Sequence, residues 1–102
     1  MHRLVVLYLQ PTDPDHFRDY YTNTHVPLAK KIPGQLGYRY SFEVTPAPGS
    51  PPYFAVFEAD FPDGETLRAG LASPEGVAAL ADVPNYATGG VVSYSYPVTD
   101  SD

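Results

Sequence analysis

Apolar and polar positions alternate along this chain with two different periods, and the switches between them mark out its elements. Leu4-Val5-Val6-Leu7-Tyr8-Leu9 is an unbroken apolar run and predicts a strand buried on both faces. Gln10-Pro11-Thr12 reads as a turn. Asp13 then suits a helix N-cap, Pro14 the first helical position and Asp15 the first turn. The helix is expected to run to about Lys31, with Lys30 and Lys31 at its negative end and Pro33-Gly34 stopping it. At about 100° per residue, Phe17, Tyr21, Thr24, His25 and Leu28 share one face. Pro27 falls inside this helix and is expected to kink it or to convert its end to a tighter turn.

Strict alternation returns from Tyr38 to Val44, with Tyr38, Tyr40, Phe42 and Val44 on one face, which predicts a second strand. Thr45 to Pro52 is a proline-rich loop. Tyr53 to Phe61 predicts a third strand, with Tyr53, Ala55, Phe57, Ala59 and Phe61 on one face. Asp63 caps a short helix through Leu71, and Ser73-Pro74-Glu75 opens another through about Ala81. Val83 to Gly90 is a loop, Val91 to Val98 a last strand, and the tail Thr99 to Asp102 is expected to fray.

The order is β-α-β-β-α-β, the split βαβ pattern of ferredoxin-like α+β folds with a four-stranded antiparallel sheet. Helices cover one face of such a sheet, yet the first strand is apolar on both. A second copy packed sheet to sheet would bury the open face, on the order of 2,000 Å² or more as in obligate dimers, so a homodimeric α+β barrel is expected.

Composition narrows the function. With 102 residues, residues 1–102 are expected to form a single domain. There is no cysteine, which removes disulfides, thiolate catalysis and Cys-type zinc sites and fits a reducing, cytoplasmic location. A net charge of −6 without a basic stripe argues against nucleic acid and anionic lipid as partners. No apolar run reaches the ~20 residues of a membrane span. Met1-His2-Arg3-Leu4 leads straight into a strand without a small-residue cleavage site, so no signal peptide is expected. Nine Tyr and five Phe in so short a chain supply much amphipathic aromatic surface, a lining suited to a small organic ligand.

Three segments together resemble the EthD family of dimeric α+β barrel proteins: Asp15 to Ala29 with its His25-Val26-Pro27-Leu28 ending, Ala72-Ser73-Pro74-Glu75-Gly76, and Asp82 to Gly90. Tyr86 departs from the pattern in that Phe is expected there about as often. The resemblance implies a small-molecule protein of polyketide biosynthesis or aromatic catabolism. Family members with assigned activities are similar to isomerases, cyclases, decarboxylases or cofactor-free oxygenases.

His25 is the residue on which catalysis would rest. Its spacing alone reads as a core histidine bonded to a backbone carbonyl. The resemblance adds the reading of a general acid/base, for which an imidazole titrating near neutrality is suited. Tyr21 shares its face and is the second candidate catalytic residue. Asn85 and Tyr86, in the loop before Gly89-Gly90, and Phe17, on the helix, are candidate substrate contacts. His16 is expected at the surface, and Tyr38, Tyr40, Tyr94 and Tyr96 in the core or a dimer interface. Glu58 or Asp60, if buried, would orient His25 or act as a base. No His/carboxylate cluster has metal-ligand spacing, and no metal or cofactor is expected. The leading expectation is an enzyme moving a proton on a hydrophobic, oxygenated ring or polyketide-like compound. The alternatives are a non-catalytic carrier of such a compound and, less favoured, a haem protein using His25 as axial ligand.

Overall fold

The computed structural model describes residues 1–100, so Ser101 and Asp102 of the tail lie outside the described residues. Four strands, β1 (His2–Tyr8), β2 (Gly37–Ser41), β3 (Ala55–Phe61) and β4 (Val91–Pro97), form one antiparallel sheet in the order β2-β3-β1-β4. The ferredoxin-like α+β pattern expected from the sequence is present. Pairing Leu4 with Ala59 and Ser95 puts Leu4, Val6, Tyr8, Phe57 and Phe61 on the face that the helices cover. The opposite face carries Val5 and Leu7 in the central strand, flanked by Val56 and Tyr94.

The first helical segment is where pattern and structure part. Asp13 caps α1 (Pro14–Tyr20), its carboxylate accepting from the His16 N–H at 3.1 Å. The chain then runs through a π-helical turn, Tyr21–His25, before a short α2 (Val26–Ala29). The N–H of Val26 bonds to the carbonyl of Tyr21, five residues back. Pro27 therefore widens the helix, where a kink or a tighter turn was expected. In a regular α-helix its ring would meet the Asn23 carbonyl four residues earlier, and a five-residue turn moves that carbonyl aside. The extra residue rotates the buried face. Thr24 is exposed, while Val26 and Ala29 take the core positions beside His25.

β2 stops at Ser41, short of the expected Val44, because Phe42 leaves the ladder to pack on Phe17 and Phe54. Asp63 caps α3 (Gly64–Ala72) and Ser73 caps α4 (Pro74–Asp82), as their sequences predict. A Cβ at Gly76 would collide with the carbonyl oxygens of Gly70 and Leu71, so glycine allows α4 to fold tightly back on α3. A 3₁₀ turn, Val83–Asn85, carries the chain from α4 toward β4.

The tyrosines expected in core or interface divide between the faces. Tyr38 stacks on Phe57 and Tyr40 packs edge-on against Tyr21, both on the helix side. Tyr94 and Tyr96 stand on the uncovered face, 60% and 43% exposed.

Candidate active site

The π-helical turn aims the His25 imidazole inward, between the helices and the sheet, where it is only 5% exposed. Tyr21 stacks on it at a centroid distance of 5.2 Å and an interplanar angle of 24°, and Tyr86 lies 4.6 Å away on a tilted plane. Its Nδ1 is 3.0 Å from a carboxylate oxygen of Asp82, the last residue of α4. An ionised carboxylate only accepts, so Nδ1–H donates, and the lone pair is left on Nε2. The backbone-carbonyl partner expected from spacing is thus replaced by a carboxylate.

Asp82 occupies an electrostatically poor position, a buried anion at the negative end of a helix. Three donors offset this. The Tyr20 hydroxyl donates to Oδ1 at 2.5 Å, the Asn85 side-chain amide to the same oxygen at 3.0 Å, and His25 to Oδ2. Burial raises the Asp82 pKa, but the bonds from Tyr20, Asn85 and His25 outweigh it and hold the carboxyl below its ordinary value. Burial also dominates at His25 and lowers its pKa, opposed by the bond to Asp82 and its charge. The pair at neutral pH is therefore an ionised aspartate holding a neutral imidazole, the protonation state of a general base.

Beside His25 lies a cavity of about 100 Å³, walled by apolar side chains of the sheet (Leu4, Val6, Phe57), α2 (Ala29) and α4 (Ala79), with Tyr8, His25 and Ser93 as its polar members. Leu80 and Val91, also on the wall, are 56% and 41% exposed and mark an opening between α4 and the edge strand β4.

The residues singled out in the sequence take different places here. His25 lines the cavity. Tyr21 and Tyr86 are fully buried against it and against Tyr8, but are not part of the cavity wall. Phe17 lies deeper, beneath Tyr8, Tyr21 and Tyr86. Asn85 serves Asp82 and reaches the Tyr20 hydroxyl at 3.3 Å. His16 is exposed as expected, its Nε2 3.3 Å from the Asn85 carbonyl. Glu58 and Asp60 do not approach His25. They sit on the opposite face of the sheet, where Arg3 at 2.7 Å and Arg39 at 3.0 Å hold Asp60. Asp82, Tyr20 and Tyr8 were not anticipated. The signal for Asp82 was an acidic residue ending a helix against the dipole. For Tyr8 it was its parity with Leu4 and Val6.

A ferredoxin-like α+β domain with a buried His–Asp pair beside an apolar cavity is thus the class that fold and geometry define. The chain belongs to the EthD family, whose domain matches residues 9–90. It is 36% identical over 92 residues to a Rhodococcus erythropolis protein described as an uncharacterized 11.0 kDa protein in the thcB-thcC intergenic region, spanning 89% of this chain and 88% of that one. A crystal structure of an EthD family protein from Bacillus halodurans superimposes with a TM-score of 0.86 at 28% identity, covering 97% of this chain and 99% of the other. A protein from Thermobifida fusca described as dimeric and ferredoxin-like gives 0.73 at 20% identity over 95% and 90%. At that identity the likeness shows the fold alone.

Proposed function

We propose that this chain is a small-molecule enzyme that moves a proton next to a carbonyl, without metal or organic cofactor, in a hydrophobic oxygenated ring or polyketide-like compound. Enolisation of this kind underlies isomerase, cyclase and decarboxylase chemistry. The observation that carries the reading is the His25–Asp82 pair, with Nδ1 committed at 3.0 Å and the imidazole on the wall of an apolar cavity. His25 is the general acid/base through Nε2. Tyr21, stacked on the imidazole, fixes its plane, and Tyr86 packs beside both rings. Asn85 and Tyr20 position Asp82, and Phe17 supports the tyrosines from below. A carrier would have no need of a buried carboxylate oriented on a histidine, at a cost of several bonds to keep it charged.

The test is exchange of the α-protons of aryl methyl ketones, acetophenone first, and of β-keto acids in D₂O, followed by NMR. Catalysed exchange above background is expected. Its pH profile follows from His25: the base form persists below the ordinary histidine value of 6.5, so the rate is flat through neutrality and falls only at more acid pH. Binding of these compounds with no exchange at any pH would instead identify a carrier.

The same reading includes a homodimer. Val5, Leu7 and Val56 with Tyr94 and Tyr96 form an apolar and aromatic strip on the sheet face that no helix covers, beside the charged group of Arg3, Arg39, Glu58 and Asp60. Native mass spectrometry is expected to show two chains, and Tyr94→Glu, which places a charge against Val5, to give one. A wild-type chain that stays single at micromolar concentration would overturn the pairing.

A further inference from the structure

Three tyrosines meet behind His25 and bring their hydroxyls together. Tyr8 from β1, Tyr21 from the π-helical turn and Tyr86 after the 3₁₀ turn have ring centroids 5.2 to 5.6 Å apart. The Tyr8 and Tyr86 hydroxyls share one hydrogen bond of 2.9 Å, and the buried Tyr21 hydroxyl has no partner. A phenolic hydroxyl both donates and accepts, so the Tyr86 and Tyr21 hydroxyls can both turn to Tyr8, whose own proton then has no partner among the three. Of the three, only Tyr8 shares the cavity wall with His25. If Tyr86 donates to Tyr8, the Tyr8 proton is free for the cavity.

We propose that Tyr8 is the donor that receives the substrate's carbonyl oxygen, with Tyr86 bonded behind it, and that the cavity admits only the reacting end of a longer molecule. The proposal rests on the proton-transfer reading above. In the step, His25 Nε2 takes the proton from the α carbon, the C–H pair becomes the C=C bond, and the carbonyl π pair moves to oxygen. The Tyr8 O–H donates to that oxygen as charge builds on it, in a setting of low dielectric. A cavity of about 100 Å³ is smaller than a benzene-sized site, so it takes a carbonyl and its α carbon. The remainder of the molecule lies at the opening beside Leu80 and Val91. The substrate class is therefore a hydrophobic compound with a carbonyl at or near one end, rather than one whose carbonyl is flanked by bulk on both sides.

Octanoate tests this without turnover, because its carboxylate puts an oxyanion at one end of an apolar chain, and titration calorimetry reads its binding. The wild-type protein is expected to bind it. Tyr8→Phe should weaken binding about 10- to 100-fold, the range for a hydrogen bond to a charged oxygen. Tyr86→Phe should weaken it by a smaller factor, and serves as the second variant should Tyr8→Phe fold poorly. Glu58→Gln, on the opposite face of the sheet, should bind within about threefold of wild type. Wild-type protein that does not take up octanoate, or Tyr8→Phe that binds it as tightly, would overturn the assignment. Octanoate binding lost in Tyr8→Phe, with no α-proton exchange by the wild type, would keep the oxyanion site and remove the proton-transfer reading instead.

Discussion

Replacing His25 by alanine is expected to abolish most α-proton exchange while leaving a folded protein. A positioned general base contributes about 10²–10⁴-fold, and that is the expected fall in rate. The fold should survive because the ring's polar partner is a single carboxylate that keeps two other donors, Tyr20 and Asn85. Asp82→Asn separates the parts of this pair. An amide is not obliged to accept, so the imidazole is no longer held with its proton on Nδ1, and the rate should fall although His25 is intact. The pH profile should move as well. Asp82 raises the His25 pKa against the lowering effect of burial, so its loss lowers that pKa further and shifts the acid limb to still lower pH. A mutation that only loosened the fold would lower the rate without that shift. Full exchange by His25→Ala would end the mechanism, whatever Asp82→Asn does.

The protonation state also bears on stability, and the sign is fixed by the direction of the shift. A histidine whose folded pKa lies below its unfolded value binds its proton more weakly in the native state. Stability is therefore unaffected above the unfolded value of 6.5 and declines as pH falls below it, until the folded pKa is also passed. Asp82 adds to the same trend at lower pH, since its folded pKa is likewise depressed. Activity and stability thus weaken together on the acid side, and the exchange rate should be compared with a melting curve at each pH.

Local chemistry was easily legible in this sequence, whereas contacts between distant residues were not. The caps at Asp13, Asp63 and Ser73 act on N–H groups three residues away, and all three are where the sequence places them. Strand parity likewise placed Ala55, Phe57, Ala59 and Phe61 on one face, because pairing preserves alternation. The helical face was misread at Thr24 because a fixed angle per residue has no room for a π turn. Pro27 was the visible cause, but the direction of its effect depends on where the displaced carbonyl can go. Asp82 and His25 are 57 positions apart, and nothing local to either names the other. Glu58 and Asp60 were tempting because they are charged residues within an apolar strand, yet alternation puts them across the sheet from the imidazole. There the two arginines account for Asp60 without reference to catalysis.

Phe17→Ala is expected to be the most damaging single truncation in the protein, and to damage it through stability. The ring is 0% exposed and packs against Phe54 at 4.9 Å, Tyr86 at 5.0 Å, Tyr8 at 5.3 Å and Tyr21 at 5.4 Å. Removing a buried phenylalanine costs about 3–5 kcal/mol, of a total that for ordinary domains is about 5–15 kcal/mol. At about 4–8 °C per kcal/mol for a chain of this size, the melting temperature by circular dichroism should fall on the order of 15–30 °C. Phe17→Leu, which keeps much of the volume, should lose less than half of that. The pair of variants distinguishes packing from substrate contact. A ring that touched the substrate would make Phe17→Leu defective in exchange while still folded at the assay temperature. A ring that only supports Tyr8, Tyr21 and Tyr86 would leave its exchange rate near wild type until the protein melts. The second outcome is expected, because three tyrosine rings stand around Phe17 and the cavity wall does not include it. A fall of less than about 5 °C in Phe17→Ala would mean that the aromatic cluster repacks around the loss. The rigid frame assigned to His25 would then need another source.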